Sequence, residues 1–202
     1  VWGKKVERFK TMKKKFLLIL FICMAFLILM NLTGKGWIIY HEGAFKGRVI
    51  DTETKDPIEG AIVVAIYYVR QYGIAESGSS RADVKEVLTN KKGEFYIPSH
   101  FFISCYPFAS GDTATFLIYK PGYTPYGNDT LYFRYFPASP LENLDYAQEA
   151  ELFKKGVTVE LMKLKTEEER KQNIPDSPGD FGQKKLPLLF KAITEEDKRF
   201  GL

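Results

Sequence analysis

Residues 61–69 read AIVVAIYYV, nine positions without a polar face, five of them β-branched and two tyrosines. A run this short, β-branched and aromatic reads as a strand, and having no polar face it must be covered on both sides. A chain that contains it needs one layer of structure above that strand and another below. Aromatic residues at 15%, led by Phe and Tyr, favour β structure in the same way. With 202 residues and 45% hydrophobic content, there is enough chain for one ordinary domain with appendages.

From Gly43 onward the chain breaks into short alternating or apolar segments divided by turn residues, the rhythm of a sandwich or barrel. AFKGRVI (44–50), VKEVLT (84–89), EFYIP (94–98), ATFLIYK (114–120), DTLYFRYF (129–136) and GVTVELMKL (156–164) join the central run to make seven strands. The last of these alternates cleanly at Val157, Val159 and Leu161. Asn90-Lys91-Lys92-Gly93 reads as the four-residue loop of a hairpin. Two segments stand outside the pattern. Residues 70–83 are polar and rich in glycine and serine, hence a loop. Residues 99–112 carry Phe101, Phe102, Tyr106 and Phe108, which either cover an open end of the core or form an aromatic surface for a ligand or partner.

Helical signals come late. Over 139–156, Ser139 can cap, Pro140 takes the first helical position, Glu142 completes a capping box and Gly156 offers the stop. Such a helix is an insertion before the last strand. Residues 165–202 turn charged, a helix end followed by a linker. In LPLLFKAITEEDKRFGL, Leu186, Leu189 or Phe190, Ile193 and Phe200 form a helical stripe, begun by Pro187 and ended by Gly201. This amphipathic helix is expected to fold back on the sandwich rather than dock on a partner.

The N-terminal region has a different character. Residues 1–15 hold seven basic side chains against Glu7 alone, so the chain's net charge of +4 belongs to this arm. The rest of the chain is slightly acidic, which argues against a nucleic-acid surface. FLLILFICMAFLILM (16–30) follows, reaching 17 residues with Asn31 and Leu32, the lower limit for a helix that spans a bilayer. Basic residues before an apolar run place the N-terminus in the cytoplasm and the body outside it, periplasmic or at the cell surface. Two readings of 16–36 stay open. A signal peptide would be cut near Gly34-Lys35-Gly36, and the chain exported. A signal anchor would stay in the cytoplasmic membrane, with Trp37 and Tyr40 at the outer interface. The length of the run and the poor cut site favour the anchor.

Four motifs occur in one order within 43–164: Gly47-x-Val49-x-Asp51, Pro57-Ile58-x-Gly60-Ala61, Thr89-Asn90-x-x-Gly93-x-Phe95-x-Ile97, and Tyr119-Lys120-Pro121-Gly122-Tyr123. Together they resemble the carboxypeptidase regulatory-like domain, which implies an all-β, transthyretin-like (prealbumin-like) sandwich of about seven strands. The family often has Thr-Gly after the aspartate, where this chain has Thr54-Lys55. The roles the motifs suggest are architectural. Asp51 bonds turn amides, Pro57 fixes φ ahead of the next strand, and Gly60, Gly93 and Gly122 serve the turns.

Little in the chain points to chemistry. His41 and His100 lie at no metal-ligand spacing, and Cys23 and Cys105 cannot close a disulfide within the exported body. Cys105 is expected as a buried apolar residue. No phosphate loop or serine elbow occurs, and the histidines of catalytic transthyretin-like enzymes are wanting. The expected protein is therefore not an enzyme and holds no cofactor, metal or catalytic residue. It is a membrane-tethered module, held through residues 16–32, that binds an envelope protein or polymer, with no nucleic acid. One alternative is a carbohydrate-binding module stacking sugars on Phe101, Phe102, Tyr132 and Tyr135. Another is an unrecognised hydrolase.

Overall fold

The computed structural model describes residues 2–32, 39–72, 77–103, 109–127, 144–175 and 182–201. Helix α1 runs Trp2–Leu32, followed by β1 (Ile39–Glu42), β2 (Phe45–Asp51), β3 (Ile62–Tyr72), β4 (Ser77–Leu88) and β5 (Glu94–Ile97). Strands β6 (His100–Ile103), β7 (Ala109–Gly111), β8 (Thr115–Tyr119) and β9 (Tyr126–Gly127) come next. Helix α2 (Tyr146–Lys155), β10 (Val157–Leu161), α3 (Glu167–Gln172), α4 (Gly182–Lys185) and α5 (Pro187–Phe200) complete the order. The body is mostly β, in sheets of largely antiparallel strands; among the described residues β10 and β2 pair in parallel, within the sheet β10-β2-β5. Ten strands occur among the described residues, where seven were expected.

Strand β3 lies at the centre, as its apolar run requires. It pairs with β4 along one flank, and with β8 and then β7 along the other. Val63, Ala65, Tyr67 and Val69 point into one apolar cluster and Ile62, Val64 and Ile66 into a second. The first cluster is shared with the sheet β10-β2-β5 through Phe45, Val49, Phe95, Ile97 and the alternating Val157, Val159 and Leu161. Helix α2 seals it. Phe153 stacks on Phe116 of β8 at 3.7 Å, and Phe45 meets Phe116 edge-on at 4.8 Å. The second cluster is closed by Leu186, Leu189, Ala192 and Ile193, so α5 does fold back onto the sheet.

Several expectations need correcting. Residues 70–72 and 77–83 are strand rather than loop: β3 continues through Tyr72, β4 begins at Ser77, and the two pair to those ends with a register shift at Tyr67/Tyr68. Polar composition there marks exposure rather than irregular backbone, since Arg70 and Ser79 both bond Asp112 (3.3 and 2.7 Å) across the surface of this arm. Asn90–Gly93 is a turn, with Gly93 N–H donating to the Asn90 carbonyl at 2.8 Å, but no hairpin. Strands β4 and β5 belong to different sheets, so the turn carries the chain from one to the other. Helix α2 starts at Tyr146 rather than 139. Asp145 accepts from the Gln148 amide at 2.8 Å, and the Gln148 side chain accepts from the Asp145 amide at 3.2 Å. Gly156 ends it as expected. Tyr40 is buried in the first cluster, not placed at a membrane interface. Within 165–202, Thr166 caps α3 and Pro187 opens α5, with α4 between them and residues 176–181 outside the described residues.

The expected strand at 129–136, with Tyr132 and Tyr135, lies outside the described residues, as do Cys105, Tyr106, Phe108, Ser139, Pro140 and Glu142. Among the described residues no helix is long and apolar enough to cross a membrane.

Candidate interaction surface

The β1–β6 ribbon is a two-stranded antiparallel unit whose residues alternate between two faces. Tyr40 pairs with Phe102 and Glu42 with His100, while Ile39 pairs with Ile103 and His41 with Phe101. The first set faces inward. Tyr40 and Phe102 are only 2% and 8% exposed and stack at 5.3 Å, and Phe102 lies 5.5 Å from the Tyr67 ring. Phe102 is therefore core, not ligand surface, because strand parity turns it to the opposite side from Phe101. The second set faces solvent. Ile39, Phe101 and Ile103 are 48%, 65% and 69% exposed, and Phe101 packs its ring on His41 at 4.3 Å. The ribbon thus presents apolar groups outward, contrary to the usual alternation of a solvated sheet.

What holds the ribbon is a polar chain that spacing alone did not reveal. His100 Nε2 lies 2.7 Å from Asp83 Oδ2 on β4, and Lys185 Nζ of α4 donates to Asp83 Oδ1 at 2.7 Å. Burial pushes the Asp83 carboxyl up, but hydrogen bonds from Lys185 and His100 outweigh it and hold the group below the usual range. The three residues are far apart in sequence, and nothing in the chain pairs them before the fold does. The Tyr67 ring lies 5.2 Å from His100, and burial pushes its phenol well above the usual range. A His–Asp pair could orient a base, yet among the described residues no hydroxyl or thiol hydrogen-bonds to His100. Nor do three or more potential ligands gather around a metal position among those residues. The arrangement works as an anchor for β6.

Asp51, 5% exposed, accepts from the amides of Glu53 (2.8 Å) and Thr54 (3.0 Å). Those bonds, with the Tyr123 hydroxyl and Lys163 nearby, hold its carboxyl below the usual range against the effect of burial. Pro57 bridges to Ile50, and Gly60 and Gly122 have φ of +68 and +86. A Cβ on Gly93, at φ +73, would run into the Val49 carbonyl oxygen.

A second feature is a shallow groove of about 510 Å³ across the sheet β10-β2-β5. Lys46, Gly47, Arg48, Glu94, Tyr96 and Gly156 are among the residues that line it. Tyr96 is 60% exposed. Its outward parity within EFYI, between the buried Phe95 and Ile97, was the signal that could have singled it out.

No known protein family, no curated protein and no solved structure matches the chain.

Proposed function

We propose that this protein is a non-catalytic binding or structural module, tethered by α1 to the cytoplasmic membrane, with its β-rich body outside the cytoplasm. The fold that goes with this reading is a transthyretin-like sandwich of the carboxypeptidase regulatory-like kind, and the bound partner is a protein or envelope polymer. The observation that carries it is α1. Its described side chains from Phe16 to Leu29 are all exposed, at consecutive positions and therefore on every side of the helix. A helix with no polar face in that stretch cannot lie flat in the headgroup region as an amphipathic one does. In water it leaves a large apolar surface bare, which monomeric proteins seldom tolerate. Residues 16–30 rise only about 22 Å, short of the roughly 30 Å hydrocarbon core. Lysines at 13–15 extend the reach through their apolar stems, and local thinning of the bilayer accommodates the remainder.

The test uses the full chain expressed in bacterial cells. Membranes washed at alkaline pH and high salt should retain it, and protease added outside the inner membrane should digest the body while sparing α1. Release by the wash, or a body that external protease cannot reach, overturns the reading.

A second reading, polysaccharide binding, is favoured by the groove. Tyr96 offers an exposed ring beside Lys46, Arg48 and Glu94, the combination that stacks on a sugar face and bonds its substituents. On this reading a polysaccharide panel gives binding that Tyr96→Ala removes and Phe101→Ala does not.

A further inference from the structure

We infer that the outer face of the β1–β6 ribbon rests on the lipid headgroup region of the membrane that anchors α1. The inference rests on the anchor reading of α1 and adds an orientation for the body. Three observations carry it.

The first is tether length. Strand β1 begins seven positions after the last residue of α1, and seven Cα–Cα steps span at most about 25 Å. Whatever path residues 33–38 take, the ribbon stays within that distance of the end of the helix. No other element of the body is held so close by the covalent chain.

The second is the chemistry of the face. Ile39 and Ile103 form a directly opposed cross-strand pair, with the Phe101 ring on His41 beside them. Aliphatic groups next to an aromatic and an imidazole suit the boundary between acyl chains and headgroups. The ribbon's carboxylate, Glu42, has the opposite parity and pairs with Lys154 at 2.9 Å, so the outer face offers nothing that anionic lipids repel.

The third is size. Three apolar side chains fall far short of the roughly 1,000 Å² that a specific protein interface needs, which argues against a second copy as the occupant. A membrane requires much less. The tether keeps the ribbon at high effective concentration beside the bilayer, so shallow insertion of a few groups suffices. The ribbon is also rigid enough to present them, since Tyr40 and Phe102 fix its inner face and His100–Asp83 pins β6 to β4.

The experiment places a single tryptophan in the full chain, using a Trp2→Phe, Trp37→Phe background reconstituted into phosphatidylcholine–phosphatidylglycerol vesicles with spin-labelled lipid. Phe101→Trp should emit to the blue of Tyr96→Trp and be quenched by headgroup-proximal labels at least twofold more. Adding Ile39→Ser and Ile103→Ser should abolish that quenching while the protein still floats with the vesicles. Flotation with no quenching at position 101, or equal quenching at 101 and 96, overturns the orientation and leaves the anchor standing. Blue-shifted but unquenched emission from Phe101→Trp also overturns it, in favour of a protein occupant. Failure to float overturns the anchor reading and this inference together.

Discussion

Gly93 and Gly122 both hold positive φ, at +73 and +86, but their surroundings differ. At Gly93 a Cβ would meet backbone that cannot yield, the Val49 carbonyl. At Gly122 it would meet only the Arg170 guanidinium, at 3.8 Å. Left-handed backbone costs a non-glycine residue about 1–2 kcal/mol, and an unyielding clash adds about 1–3 kcal/mol. Gly93→Ala should therefore destabilise by at least about 2 kcal/mol and Gly122→Ala by about 1 kcal/mol, read from urea unfolding midpoints. Equal losses would mean that the Val49 contact has no energetic consequence. Lys55 shows the same economy in reverse. It is a non-glycine residue that takes φ +62 in the turn after Asp51, so that turn bears the left-handed cost. Asp51 beside it gives a pH signature. Its folded-state pKa lies below the unfolded value of about 3.9, so its contribution is complete above that value and disappears as pH falls through the folded one. Asp83 and Asp112 are shifted the same way. The urea midpoint should hold from pH 7 to about 5, then fall below about 4, and Asp51→Asn should make that fall shallower. An acid limb unchanged by the substitution would assign it to the other lowered carboxyls, Asp83, Asp112 and Glu169.

Among the elements, α5 shows how far the sequence reached. Its stripe, its opening proline and its closing glycine are legible in the sequence, and Leu189, rather than Phe190, is the residue that goes fully inside. Its start was not fully legible. Leu186 at the N-cap offers no side-chain bond, and the acceptor comes instead from β4, where Glu86 takes the amides of Leu188 (2.7 Å) and Leu189 (3.0 Å). A cap supplied from about a hundred residues away leaves no local trace, because capping motifs are read within a single turn. Glu86→Ala should cost about 1–2 kcal/mol, as loss of a cap does, with Glu86→Gln recovering part of it. A neutral Glu86→Ala would show that α5 is held by its apolar face alone. The β3–β4 arm was misread for a related reason. Apolar alternation marks a strand only where a face is buried, so β3 was plain over 61–69 and invisible beyond Arg70, where both faces meet solvent. Ribbon β1–β6 was missed because four-residue strands carry too short a pattern, and Phe101 and Phe102 looked equivalent until parity separated them.

At the scale of the whole molecule, β3 divides the body into two cores, one closed by the sheet β10-β2-β5 with α2, the other by α5. Whether these unfold as one depends on how firmly the second is tied to the first. Arg170 of α3 donates to both carboxylate oxygens of Glu196 on α5 at 3.0 Å, and these side chains are only 22% and 9% exposed. Strand β10 leads directly into α3, so this pair joins α5 to the sheet on the far side of β3. Breaking a largely buried pair by removing one partner costs about 3–5 kcal/mol, whereas replacing both with apolar groups is often near neutral. Glu196→Leu should therefore destabilise the body by about 3 kcal/mol, and Arg170→Met with Glu196→Leu should restore most of the loss. In both variants, helix loss by circular dichroism and exposure of the buried tyrosines by fluorescence should fall on one transition, because Tyr67 faces the first core and Tyr119 the second. A separate early transition in the helix signal would show that α5 docks on an independently stable sheet. The amphipathic tail would then be a detachable cover over Ile62, Val64 and Ile66 rather than part of one cooperative core.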